Sequence, residues 1–426
     1  MAVISRASTN TPSADTSDFG NHFFPIEFEG VSGKFYIFAS QIDLYTPKNN
    51  TLMRKIILSI IFATAASFSF AATPDSLKKD LEDYDYLTSF VEQNYAPFDA
   101  IMQKGYKREY KALKKQLRKK LSKGEASLER TATDYILWFY SQFDKHIQLD
   151  TEAFEKAKWN PIDKTLARED TTLLTNPGHF EYDPKPVSCK VDSLTWLIRV
   201  TSCAPDFYEG TVNALKQFLA SDCENLIIDI RENLGGNDDV WEDYYHLLYD
   251  HPYKPESKWF RNTPKNLLHK KECMEMNPSN TWYPQFIEKC EASKKKFMKQ
   301  WETDGSLNIQ PSARIKRAAI LVDIMTASAA ESLAKYVKKY SSRAKVYGIG
   351  NTYGCELTGN CWGETLPNSK LYISYATTVD SGFYEKDFSS EGLGIAPDVI
   401  IPLPFARKLT DNIDDWVKWV AEDLKK

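Results

Sequence analysis

Apolar residues between Pro74 and Phe143 recur at helical spacing, with few breakers and no strand-like alternation. Tyr110, Leu113, Leu117 and Leu121 follow at intervals of three, four and four, and Gly124 supplies a stop. Ser127 is placed to cap a further helix whose face is Ile136, Phe139, Tyr140 and Phe143. From Lys158 to Pro186 polar residues and prolines read as a linker. The pattern then changes to strands alternating with helices. Leu194 to Val200 and Leu226 to Ile230 read as strands flanking a helix over Val212 to Leu219. Strand Ala318 to Val322, helix Ala329 to Tyr340 and strand Ala344 to Ile349 continue the series. This grammar predicts an α/β domain behind a helical N-terminal region. A segment at about 240–312, rich in Lys, Asn, Pro and aromatics, interrupts it. Asp411 is placed to cap a last helix with the face Ile413, Trp416, Val417, Val420 and Leu424.

Composition changes this picture little. The 426 residues carry 54 Lys+Arg against 58 Asp+Glu, 42% hydrophobic and 26% charged, the balance of a globular protein with ample material for a core. A net charge of −4 gives no general argument for nucleic acid or an anionic membrane as partner. The basic residues between Lys107 and Lys123 read as the polar faces around one apolar stripe.

Met53 opens an export signal. Arg54 and Lys55 form its basic part, Ile56 to Phe68 its apolar part, and Ser69-Phe70-Ala71 a small-residue cleavage site, so the mature chain is expected to begin at Ala72. The apolar run is short of the ~20 residues a membrane span needs. Residues 1–52 then read as an upstream extension foreign to the fold, 53–71 as the signal peptide, and the location as periplasmic or secreted, with no stable membrane anchor after cleavage. All seven cysteines lie after Ala72, where an oxidising compartment would permit disulfides. Cys355–Cys361 and Cys273–Cys290, each close in sequence and in loop-like stretches, are the expected pairs. No CxxC or HExxH spacing marks a zinc site.

Four places carry residues suited to chemistry. The strand Leu226–Ile230 runs into Arg231-Glu-Asn-Leu-Gly-Gly236, where two glycines let backbone amides face a ligand. The strand Ala318–Val322 runs into Thr326-Ala-Ser-Ala-Ala-Glu331, which puts Ser328 at a helix start. A serine there serves as an N-cap or, with small neighbours clearing its approach, as a nucleophile with the Ala329 amide beside an oxyanion. A serine nucleophile needs a base. His146, in Phe143-Asp-Lys-His-Ile-Gln148 at the exit of the last N-terminal helix, is the candidate. Glu391-Gly-Leu-Gly-Ile-Ala-Pro-Asp398 sets a carboxylate on a tight turn.

Taken in order, LIIDIRENLGG, ILVDIMTASAAESLA, VYGIGNTYG and EGLGIAPDVIIP resemble the C-terminal processing (tail-specific) family of serine peptidases, over roughly Leu194 to Pro402. The resemblance implies a crotonase-like α/β core. The helical region ending at FDKHIQL looks like that of the family's tricorn-like branch, which uses a Ser–His pair. On this resemblance Ser328 is the nucleophile, His146 the base, Glu391 the orienting acid, and Gly235, Gly236 and Ala329 surround the oxyanion hole. Cys355 stands where a Ser–Lys branch would carry its lysine, and Lys145 where the tricorn-like branch has a serine linking base to acid. What orients His146 is therefore open between Glu391 and Asp144. The expected organisation is a helical domain at 72–150, a linker at 151–190, a catalytic domain at 191–410 holding the insertion, and a C-terminal helix at 411–426. The expected function is that of an exported serine endopeptidase acting on peptides or unfolded segments without a cofactor. Its rivals are a non-catalytic binding protein on the same scaffold and an acyl-CoA enzyme, the last at odds with export. Oligomeric state is not legible.

Overall fold

The computed structural model describes residues 26–30, 33–37, 74–158, 184–253, 256–300, 312–384, 392–404 and 413–426. Two compact units divide the chain at Ala71/Ala72. In the first, β1 (Ile26–Gly30) pairs antiparallel with β2 (Gly33–Ile37), Ile26 opposite Ile37 and Phe28 opposite Phe35. Apolar residues at every second position account for this hairpin, which lies in the stretch read from sequence as an upstream extension. The proposed signal at 53–71 lies outside the described residues.

The second unit opens with α1 (Pro74–Asn94), α2 (Phe98–Ile101), α3 (Lys107–Ser122) and α4 (Leu128–Tyr140). Ser127 caps α4 by accepting the Arg130 amide, as its position predicts. The basic residues of α3 lie around its buried Tyr110, Leu117 and Leu121, and Lys114 and Arg118 pair with Glu92 and Asp85 of α1. No described helix is long and apolar enough to cross a membrane.

Beyond β3 (Gln148–Leu149) come β4 (Val187–Lys190), β5 (Thr195–Arg199), α5 (Tyr208–Ala220), β6 (Asn225–Asp229), α6 (Glu242–Leu248), β7 (Lys258–Arg261), α7 (Pro264–Met276), α8 (Trp282–Glu291) and β8 (Phe297–Lys299). After them follow β9 (Arg317–Leu321), α9 (Ala329–Tyr340), β10 (Ala344–Gly348), β11 (Thr358–Thr365), β12 (Tyr372–Asp380), β13 (Val399–Ile400) and α10 (Asp415–Asp423). The first sheet runs β13-β10-β9-β6-β5-β4, parallel except for β4. Successive side chains of its strands enter apolar cores on opposite faces, as in a sheet covered on both sides. Ile198, Leu226, Ile228, Ala318, Ile320 and Val346 pack with α5, α6 and α9, while Leu197, Ile227, Ala319, Leu321 and Tyr347 pack with α10.

The second sheet, β11-β12-β7-β8 with β3 on β12, takes two of its strands from the segment read as an insertion. Its residues share one core with the N-terminal helices, where Phe90 meets Tyr375 edge-on at 5.0 Å. Arg261 of β7 donates to the carbonyls of Glu92, Gln93 and Tyr95.

Two expectations are corrected. Asp414 rather than Asp411 caps α10, accepting the Val417 amide at 3.0 Å, and its other carboxylate oxygen takes Arg231 at 2.7 Å. Arg231 and Arg199 also grip Asp229 at 2.6 and 2.8 Å; burial opposes ionisation there, but the two guanidinium charges push Asp229 down to about 2. Removing one partner from such a buried set costs about 3–5 kcal/mol. The second correction concerns the cysteines, all seven of which are free thiols. Cys355 is buried whereas Cys361 is exposed on β11, and Cys273 and Cys290 stand on separate helices, α7 and α8.

Candidate active site

Ser328 lies beyond the carboxyl end of β9, after a turn tied by Asp323, whose Oδ1 accepts the amides of Met325 and Thr326 at 3.0 Å. It holds φ 54° and ψ −121° immediately before α9. A non-glycine residue in such a conformation costs about 1–3 kcal/mol and persists only where its surroundings over-determine it. Here they do. The Ser328 amide donates to Glu331 Oε2 at 3.0 Å, and the preceding Ala327 amide donates to the Asn233 carbonyl at 2.9 Å. Glu331 is fully buried, and its carboxylate also accepts the Gly354 and Cys355 amides at 2.7 and 2.9 Å and the Thr352 hydroxyl. One side chain thus fixes both the serine and the loop after β10.

The glycine turn after β6 abuts the same serine. Gly235 has φ 93°, and a Cβ there would lie 2.7 Å from both Ser328 Cβ and the Ala327 carbonyl, so no side chain is tolerated. Its amide is occupied by Asn233 Oδ1 at 2.9 Å. The bridge between Cys203 and Gly236 uses the Gly235 carbonyl and the Asn237 amide, which leaves the Gly236 amide outside it. The Ala329 amide stands in the first position of α9, where helical geometry supplies no acceptor.

His146 reaches this point from the turn between α4 and β3, anchored on either side by fully buried Phe143 and Ile147. Its Nε2 lies 3.1 Å from Ser328 Oγ, and its Nδ1 lies 2.7 Å from Thr358 Oγ1. Thr358, the first residue of β11, donates its hydroxyl to Asp144 Oδ1 at 2.7 Å. That donation leaves the Thr358 oxygen to accept the Nδ1 proton, so the Nε2 lone pair faces the serine. Asp144 Oδ1 also accepts the His146 amide at 2.8 Å, and Oδ2 accepts the Tyr95 hydroxyl at 2.8 Å. Complete burial works against its ionisation, yet the hydrogen bond and charge of His146 and the hydroxyl of Thr358 hold Asp144 below the usual carboxylate range.

The sequence reading named Ser328, His146 and Asp144, and they meet here. It missed Thr358, Tyr95 and Glu331 as partners. Only for Glu331, three residues after a helix-capping serine, was a local signal present. Glu391 lies outside the described residues. Lys145 turns away from the relay: its ammonium donates to the Tyr353 carbonyl and lies 4.6 Å over the Tyr353 ring.

Residues 196–401 match the model of peptidase family S41. The chain carries an S41 peptidase domain. No curated protein sequence matches the chain. Among solved structures, a lipoprotein from Streptococcus agalactiae is 16% identical, with 81% of this chain and 96% of that chain covered and a TM-score of 0.41. Mature CPAF complexed with lactacystin is 16% identical at a TM-score of 0.37, over 54% of this chain and 50% of that one, so the S41 chain spans half the length of mature CPAF. The photosystem II D1 C-terminal processing protease is 16% identical, over 49% and 42%, at a TM-score of 0.31.

Proposed function

We propose that this S41 chain is an exported serine endopeptidase that cleaves peptides or unfolded protein segments through an acyl-enzyme on Ser328. The observation that carries the reading is the unbroken line from Ser328 Oγ through His146 and Thr358 to Asp144, each contact within 3.1 Å. In this mechanism His146 takes the Ser328 proton as Oγ attacks the scissile carbonyl, and returns it to the leaving amine. Water then repeats the cycle on the ester. Asp144, kept ionised, stabilises the imidazolium through Thr358, a task the resemblance had given to Glu391. The Ala329 and Gly236 amides face the developing oxyanion, reinforced by the positive end of α9. Gly235 contributes by its lack of a side chain rather than by its amide. A peptide main chain laid along a strand edge fits the substrate class.

The test is labelling of the purified chain with a fluorophosphonate probe. Labelling that disappears in Ser328→Ala and collapses in His146→Ala is expected. A parent that neither labels nor hydrolyses unfolded protein would overturn the reading in favour of a binding protein. Export is tested separately, by N-terminal sequencing of the secreted form, with Ala72 expected as its first residue.

A further inference from the structure

Tyr95 is fully buried, as is Asp144, and its hydroxyl donates to Asp144 Oδ2 at 2.8 Å. The two oxygens of this carboxylate do different work. Oδ1 accepts the Thr358 hydroxyl at 2.7 Å and the His146 amide at 2.8 Å, and so serves the base. Oδ2 takes no part in that set, and among the described residues Tyr95 is its one hydrogen-bond partner. A buried, ionised carboxylate oxygen without a donor is costly, so a carboxylate that lost this hydroxyl would turn toward another donor or take a proton. Either change loosens Oδ1 from Thr358, whose hydroxyl oxygen holds His146 Nδ1 at 2.7 Å.

The hydroxyl can do this only if its own position is fixed. Tyr95 follows directly on α1, at the helix end where carbonyls lack intrahelical partners. Arg261 of β7 takes up those carbonyls, donating to that of Glu92 at 2.6 Å and to that of Tyr95 itself at 2.9 Å. Its planar, rigid guanidinium suits it to holding several acceptors in one geometry. On the other side of Tyr95, the Ala96 amide donates to the Ala376 carbonyl of β12 at 3.0 Å. The ring stands edge-on to Phe139 of α4, with centroids 5.6 Å apart, and the Phe139 carbonyl accepts the Asp144 amide at 3.2 Å. The second sheet thus fixes the backbone of Tyr95, while ring and acid share one residue of α4 as their support.

We propose that Tyr95 is a positioning residue for the base: its hydroxyl holds the Asp144 carboxylate in the rotation that presents Oδ1 to Thr358 and, through it, to His146. Tyr95 touches neither Ser328 nor His146 and acts through Asp144 alone. It adds a hold from the end of α1 to those from the turn after α4 and from β11. The proposal rests on the peptidase reading of Ser328 and His146, but one of its readouts needs no turnover.

Tyr95→Phe keeps the ring and removes only the hydroxyl. On an unfolded-protein substrate kcat is expected to fall ~10- to 10²-fold, with KM within about twofold of the parent. The Nδ1 proton of His146, followed by nitrogen-edited NMR, should exchange with water at least about tenfold faster. In an Asp144→Asn background the same substitution should change kcat and exchange by less than about twofold, since its route to the base is already cut. Tyr86→Phe, which removes the hydroxyl that an exposed tyrosine donates to Glu364, should behave like the parent. Parent kcat or parent exchange in Tyr95→Phe overturns the proposal. So does an equal loss in the Asp144→Asn background, which would assign the hydroxyl to packing. If the parent neither labels nor turns over substrate, the peptidase reading fails, and the exchange comparison decides for or against Tyr95 by itself.

Discussion

Thr358 and Asp144 stand 214 residues apart in the sequence and share a 2.7 Å hydrogen bond, with His146 Nδ1 against the same threonine oxygen. The threonine comes from the second sheet and the acid from the N-terminal helical region, so the base is held by two elements at once. Removing the hydroxyl should expose this dependence. Thr358→Val leaves Nδ1–H with Asp144 Oδ1 at 3.4 Å as its nearest acceptor, and kcat on an unfolded-protein substrate is expected to fall ~10- to 10³-fold with little change in KM. Thr358→Ser should restore most of it. Equal loss in both variants would mean that the methyl group, and hence packing, matters instead.

Gly235→Ala places a methyl group against Ser328 at a position with φ 93°. Strain of this kind costs about 1–3 kcal/mol, and the serine turn is the part that must yield. A loss of probe labelling larger than the loss of stability is expected, measured by labelling rate beside urea unfolding. A variant that labels like the parent would show that the serine does not depend on this contact.

A separate pair of acids gives the stability of the fold a pH dependence. The amide of Glu232 donates to Asp323 at 3.1 Å, and burial, with the charge of Asp323, pushes the Glu232 carboxyl up to about 8. A carboxyl raised in the folded state binds a proton there that the unfolded chain has already lost. Stability from this group is therefore full below the ordinary glutamate range and declines as pH rises toward 8. Between about pH 5 and about pH 8 the thermal midpoint of the parent should fall relative to that of Glu232→Gln. Parallel curves would remove Glu232 as the cause.

Free thiols are expected in all seven positions even without reductant. Cys361 is exposed and should alkylate first, whereas burial pushes the Cys203 thiol up to about 12 and that of Cys290 up to about 11, which keeps both unreactive in the folded protein. Mass mapping with timed iodoacetamide reads the order. A bridged Cys355–Cys361 peptide would contradict the structure.

The first sheet was legible because its strands are buried on both faces and alternate with amphipathic helices. Ser328 was legible because it opens a clearly periodic helix, and His146 because it follows one. In the second sheet β7 and β8 were not, since they are only four and three residues long, too short for a period of two to stand out among lysines and prolines. Thr358 sits in that sheet. A threonine beginning a strand carries no local mark of its task, and only the approach of β11 to the turn after α4 gives it one. The disulfide expectation failed for a related reason: nearness in sequence says nothing about which way two thiols face once one is buried under Glu331 and the other lies on a strand.

Glu331 and Lys145 hold the loop at 352–355 from opposite ends of the chemistry, one from the helix that bears the nucleophile and the other from the turn that bears the base. The loop acts as a common gauge block between them. If the N-terminal helices and the parallel sheet breathe against each other, serine and imidazole are carried along by the same segment, and their spacing changes less than the motion around them.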